Sequence, residues 1–226
     1  MPNSPAQDLA LRMADLARSV AAPRDIEDVL NGVTSSAVEL LTGADTAGVL
    51  LVKKGGKFES LSGTSDLIYE LDRLQERVGE GPCLDAAVNE LVVRTEDFQV
   101  ESRWPRYSPG VCELGVRSSI SFKLYTGDRT AGALNVFSRK PHSFDADAEV
   151  IGSILAAHAA AAILASRDSQ QLQAALLSRD LIGQAKGILM ERFTIDAIGA
   201  FEMLRKLSQQ MNVRLAEIAQ RVVDTR

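Results

Sequence analysis

Few residues in this chain could do covalent or acid–base chemistry. Its 226 residues hold two cysteines and two histidines. Cys83 closes the turn Gly79-Glu80-Gly81-Pro82-Cys83, where proline is placed to open a helix. A thiol at a helix N-terminus can have a lowered pKa and sense oxidants, whereas one in apolar surroundings is an inert packing residue. No basic residue flanks Cys83 in sequence, so packing is the preferred reading, and Cys112 reads as core. His142 lies in a loop, Lys140-Pro141-His142-Ser143, and His158 in an alanine-rich helical stretch. Two histidines and two distant cysteines make a dedicated zinc site unexpected. The chain shows no nucleophile–base pair, phosphate-cradling glycine loop or paired-carboxylate motif. The expectation is a non-enzyme with no cofactor and no metal.

Binding chemistry is better represented, and it sits near the C-terminus. At about 100° per residue, Leu177, Leu181, Ile182, Ala185, Ile188, Leu189 and Phe193 share one helical arc. Arg179, Asp180, Gly183, Gln184, Lys186, Gly187 and Glu191 hold the other. Gly183 and Gly187 lie one turn apart on that polar side, and each interior glycine costs roughly 0.5–1 kcal/mol relative to alanine. A backbone that something can approach closely would explain them. A second helix is predicted from Asp196 as N-cap, with Ala197, Ala200, Phe201, Leu204, Leu207 and Met211 in register. A third is predicted from Asn212 as cap, with Leu215, Ile218, Ala219, Val222 and Val223 at i, i+3, i+4, i+7, i+8.

The segment Ile182-Gly-Gln-Ala-Lys-Gly-Ile-Leu-Met190, followed by Ala200-Phe201, Leu204-Arg205, Ser208, Asn212, Leu215 and Ile218-Ala219, resembles the ANTAR domain. That family is a three-helix RNA-binding module of bacterial transcription antitermination regulators. The resemblance implies binding to hairpin loops of nascent transcripts; periodicity alone implies only a helical bundle. Given RNA as partner, Arg179, Lys186, Arg205, Lys206 and Arg214 are the candidate phosphate contacts, beside the smooth strip of Gly183 and Gly187. Gln184, Gln209 and Asn212 carry amides able to pair with base edges. Phe193 and Phe201 lie on apolar arcs and are expected in the core.

Composition bounds these readings. The net charge is −5 with 24% charged residues, which suits a soluble globular chain. From Leu172 onward there are eight Lys/Arg and six Asp/Glu, so the tail is mildly basic while the remainder is acidic. No apolar run is expected to reach the roughly 18–20 residues that span a bilayer. The first residues lack a signal-peptide pattern. The expectation is a cytoplasmic protein with no membrane partner.

The preceding part alternates helical and strand patterns. Helices are predicted over 6–20, 25–41 and Asp66–Val78. Strands are predicted at Ala47–Val52, Phe58–Ser62, Leu91–Val93, Val116–Tyr125 and Thr130–Phe137, with a hairpin turn over Lys53–Lys57. That order describes an α+β domain built on a central antiparallel sheet flanked by helices, followed by an all-α three-helix bundle. With Val78-Gly-Glu-Gly-Pro-Cys-Leu84, Asp97-Phe98, Arg103-Trp104-Pro105, Leu114-Gly-Val-Arg-Ser118 and Gly132-Ala-Leu-Asn135, residues 25–165 resemble a GAF domain of the kind found upstream of ANTAR. That family is a ligand-sensing and dimerising fold. The resemblance implies a pocket for a small molecule, with Cys83, Trp104, Phe122 and Asn135 as candidate lining residues. Trp104, with Arg103 and Tyr107, is read either as a lid over it or as a hydrophobic plug. The Cys-His pair of bilin-binding relatives, the cysteine cluster of sulfoxide-reducing ones and the Asn-Lys-Phe-Asp-Glu signature of cyclic-nucleotide-binding ones do not occur.

The expected organisation is an N-terminal dimerising helix over 1–24, a GAF domain over 25–165 and an ANTAR domain over 166–226. A long helix from about Asp145 joins the last two. Its Ile151, Ile154, Leu155, His158, Ala162 and Ala165, then Leu172 and Leu176, suggest a coiled-coil seam and a homodimer. The function expected is a signal-responsive antitermination regulator. Its rivals are a DNA-binding regulator, since three short helices also describe helix-turn-helix folds, and an interaction module that binds no nucleic acid.

Overall fold

A computed structural model describes residues 25–52, 58–88, 90–126 and 129–225, together with Leu11 and Ala14. The predicted helix over 6–20 and the turn over 53–57 fall outside the described residues, apart from those two positions. The chain divides into two compact units, Met1–Ser166 and Arg167–Arg226.

In the first unit, Asp25 caps α1 (Ile26–Leu40) by accepting the Glu27 N–H, and Val29, Leu30, Val33 and Ala37 form its buried stripe. Strand β1 (Thr46–Val52) pairs with β2 (Phe58–Leu61) and with β5 (Arg129–Ser138). Strand β4 (Ser118–Thr126) lies between β5 and β3 (Val92–Thr95). All four pairings are antiparallel, in the order β2-β1-β5-β4-β3. Between β1 and β2 in sequence and β3, the chain forms α2 (Asp66–Val78) and α3 (Pro82–Val88); α4 (Ser108–Glu113) precedes β4.

Strand alternation sorts side chains to two faces. Register aligns Val49 with Leu134, Leu134 with Phe122, and Phe122 with Val92. This face packs on α1 and on the start of α5 (Ala146–Phe193), through Leu30, Val33, Ala37, Leu155, Ala156, Ala159, Ala160 and Ile163. Gly152 of α5 lies against the Phe122 ring, where a Cβ would collide with it. The opposite face gathers Leu50, Val93, Ala133 and Phe137 with Ile68, Leu71, Cys83, Phe98, Trp104, Tyr107 and Val111.

Helix α5 bears on two expectations. Of the predicted coiled-coil seam, Leu155 and Ala162 are buried, Leu155 within the unit's own core. Val150 and Leu164 of the helix stay exposed, as do Leu172 and Leu176 of the predicted seam. The sheet claims the bulkier side of an alanine-rich helix, which periodicity alone could not reveal. The helix is also long and apolar enough, by length and composition, to cross a membrane. The expectation that no segment reaches that standard therefore fails. Its Leu155, Ala156, Ala159, Ala160 and Ile163 are packed in a protein core.

The second unit is helical throughout its ordered elements: the later part of α5, then α6 (Ala197–Met211) and α7 (Leu215–Asp224). Ala185, Leu189, Ala200, Leu204, Ile218 and Ala219 make its buried centre. Asp196 caps α6 by accepting the Gly199 N–H at 2.7 Å. Asn212, predicted to open the third helix, instead ends α6 at φ 51°, and Arg214 stands at the start of α7. Asparagine tolerates the left-handed conformation that such helix ends require. The Val213 N–H then donates to the Ser208 carbonyl at 3.1 Å, which completes the reversal.

Candidate nucleic-acid interface and sensory core

On α5 in the second unit, Ala185 and Leu189 face the centre while Arg179, Gly183, Gln184 and Gly187 are exposed. A Cβ built on Gly183 or Gly187 would meet nothing within 4 Å. No intramolecular packing therefore asks for glycine at either position, and the helix tolerates their cost with no internal return. Gly183 forms part of a groove of about 550 Å³ lined also by Ala175, Ser178, Arg179, Ile182, Lys186 and Phe201.

The five predicted cations divide. Arg205 pairs with Glu202 at 2.7 Å and Arg214 with Glu217 at 2.8 Å, each one turn along its own helix. Exposed pairs of this kind are weak, typically under about 1 kcal/mol, but they offset the charge available to a phosphate. Arg179, Lys186 and Lys206 make no ion pair among the described residues. The groove brings together Arg179, Gly183 and Lys186, with Gly187 one turn on. Gln184, Lys206 and Gln209 are exposed but do not line it, and Asn212 has the capping role described above.

Phe201 corrects the sequence reading: it is 39% exposed and lines the groove, and Phe193 is exposed too. The signal was present. On the α6 wheel, at about 100° per residue, Phe201 falls roughly 90° from the middle of the arc that Ala200, Leu204 and Leu207 define.

The first unit buries a set of polar groups. Cys83, on α3, is fully buried and its N–H donates to Gln75 Oε1 at 3.1 Å. Burial, with the Asp72 carboxyl nearby, pushes the thiol well above its ordinary pKa, which removes the thiolate that oxidant sensing needs. Asp72 itself is pushed up to about 6 by burial; the Ser60 hydroxyl opposes the shift without reaching hydrogen-bond geometry. Burial likewise raises the Tyr107 phenol, with Cys83 and Asp72 adding to it. Asn135 pairs in register with Ser121 and Gly48 and is fully buried. Among the described residues neither of its amide atoms has a hydrogen-bond partner, nor does either Asp72 oxygen, the Tyr107 hydroxyl or the Ser119 or Ser121 hydroxyl. Buried polar groups are otherwise almost always paired.

Of the predicted pocket residues, Cys83, Trp104 and Asn135 lie on this side of the sheet. Phe122 does not: it belongs to the core on the other face, because its neighbour Ser121 is the residue whose side chain points this way. Trp104 is buried and donates its indole N–H to Asp85 at 2.8 Å, packed 6.4 Å from Phe98. It plugs the core rather than covering an opening. Arg103 stacks over it at 4.4 Å and is held by Glu101. His142 contacts Glu96, and His158 bonds the Ile154 carbonyl of its own helix. Among the described residues no group of His, Cys, Asp or Glu could hold a metal ion.

Comparisons with known proteins agree with this division. The GAF domain family matches residues 23–164, and the ANTAR domain family matches residues 170–223. No curated protein matches the chain. Among solved structures, the GAF domain of a phosphoenolpyruvate-protein phosphotransferase from Coxiella burnetii superposes with a TM-score of 0.59 at 18% identity. The match covers 74% of this chain and 99% of that one. Free methionine-R-sulfoxide reductase from Neisseria meningitidis, in complex with its substrate, gives 0.55 at 18% identity, covering 75% and 96%. GAF3 of Slr1393 from Synechocystis sp. PCC6803 gives 0.55 at 13% identity, covering 66% and 99%. At these identities the likeness concerns the fold alone.

Proposed function

This chain belongs to the GAF domain family and joins that signal-sensing domain to an RNA-binding antitermination domain of the ANTAR family, and from that premise we propose that it binds RNA hairpins in nascent transcripts in response to a small polar ligand. The observation that carries the RNA half is the open face of α5. A Cβ on Gly183 or Gly187 would meet nothing within 4 Å, and among the described residues Arg179 and Lys186 beside them have no carboxylate partner. A smooth backbone strip beside free cations suits a phosphate chain, because RNA is recognised largely by shape and backbone contact. A DNA recognition helix would present dense side chains to base edges there.

The sensing half rests on Asp72, Tyr107, Ser119, Ser121 and Asn135, whose polar atoms gather without partners inside the first unit. They offer a small ligand both donors and acceptors. The chain acts in the cytoplasm, where nascent transcripts are, and as a homodimer. Exposed Val150 and Leu164 in the first unit, and Leu172, Leu176 and Leu177 in the second, support self-association. Sedimentation at micromolar concentration should show a dimer; a stable monomer would remove that part.

Crosslinking the protein to cellular RNA and sequencing what it holds tests the main reading. Enrichment of hairpin-forming leader segments, with affinity falling linearly in log salt, is the expected result. Recovery of DNA, or of no nucleic acid above background, would favour a rival.

A further inference from the structure

Phe201 is the one aromatic residue on the groove, and its position in α6 is at odds with its chemistry. The helix buries Ala200 and Leu204, yet leaves Phe201 39% exposed and Ile198 74% exposed. Gly183 and Ile182 of α5 line the groove with Phe201, as do Arg179 and Lys186. Among the described residues no carboxylate lines it. We propose that this groove seats one unpaired RNA base, stacked on the Phe201 ring, while Arg179 and Lys186 hold the phosphates on either side of it. The assignment deepens the RNA-binding reading above and rests on it.

The argument is one of fit. A volume of about 550 Å³ lies within the range of roughly 300–1,000 Å³ that receives small-molecule-sized groups. A flat base needs one apolar face and an unobstructed approach; the ring supplies the first and the missing Cβ of Gly183 the second. Every base has a π-face, so such a platform holds an unpaired nucleotide with little sequence preference. A duplex keeps its bases stacked and would leave the ring unused. The two unpaired cations decide between occupants: an apolar protein helix would bury them without compensation, whereas a nucleotide brings phosphates to both.

The full-length chain can be tested against a pool of RNA hairpins with one fixed stem and a randomised loop, and against the same stem as a loopless duplex. Wild type should prefer the hairpins. Phe201→Leu keeps an apolar side chain but has no π-face, and should weaken hairpin binding by about tenfold without changing duplex binding. Phe201→Trp should retain hairpin binding. Should Phe201→Leu melt early, quenching of 2-aminopurine in the loop of a tight-binding hairpin by the wild type gives the same readout. Stacking predicts quenching, and an unquenched bound loop overturns it. Equal hairpin binding by Phe201→Leu and wild type overturns the stacking assignment but leaves RNA binding intact. So does a loss shared equally by hairpin and duplex, or an effect confined to self-association. If wild type binds neither RNA, the RNA-binding reading itself has failed and this assignment falls with it.

Discussion

Helix α5 carries glycines in two settings, and they teach opposite lessons. Gly152 is buried because the Phe122 ring occupies the place where its side chain would be. Gly183 and Gly187 are exposed and have nothing near them. The first is explained by internal packing: a helix that must lie close to a sheet. The others are unexplained by anything within their own unit and point outward. The same split holds for some unpaired polar groups: Asp72 and Asn135 are buried in the first unit, while Arg179 and Lys186 of the second line an open groove. One unit is shaped around its interior, the other around a face.

Gly152→Leu is the most severe way to probe that contrast. Overpacking a filled core costs typically about 1–3 kcal/mol and occasionally more, and here the ring cannot retreat because Val92, Leu134 and Leu124 surround it on the sheet. Urea unfolding should show the first unit strongly destabilised. A change below about 0.5 kcal/mol would mean that the helix is not seated on the sheet as described.

Asp72 should give the next effect, through pH. Its carboxyl is raised from 3.8 to about 6, so the folded protein holds this proton more tightly than the unfolded chain. That contribution is fully present below pH 4, declines as pH rises from about 4 to 6, and is lost above. The difference amounts to about 3 kcal/mol at most. Asp72→Asn should remove this slope and make the protein relatively more stable at pH 7. An unchanged pH profile in the variant would show that the carboxylate finds compensation.

Lys186→Ala should be the mildest. A surface change usually moves stability by under about 0.5 kcal/mol, and melting should barely shift. RNA affinity should fall several-fold and the salt slope by about one, as for one lost phosphate contact. An unchanged slope would return Lys186 to ordinary surface charge.

Much of the fold was legible in sequence because it follows from local periodicity. Helix α2 runs from Asp66 to Val78, where the spacing placed it, and the antiparallel sheet followed by helices is the architecture predicted. What failed depended on neighbours. Phe122 and Ser121 are adjacent, and only strand register says which of them faces the interior polar groups. Leu155 looked like a seam residue until the sheet covered it. Asn212 could begin or end a helix by type; its positive φ decides for the end. Phe201 was misread by treating a wide apolar arc as uniformly buried. The unpaired interior atoms left no sequence signal, since Ser119 and Ser121 are unremarkable strand residues until the fold removes water from them.

The central claim is that the face bearing Gly183 and Gly187 is kept clear for RNA, and Gly187→Leu measures it directly. Leucine is the better helix former by roughly 0.5–1 kcal/mol, and a Cβ at this position would meet no atom within 4 Å. Helicity by circular dichroism and thermal stability should hold or rise, while binding to RNA hairpins falls. A variant that is as stable as wild type and binds RNA equally well would contradict the account, since the strip would then serve no contact at all.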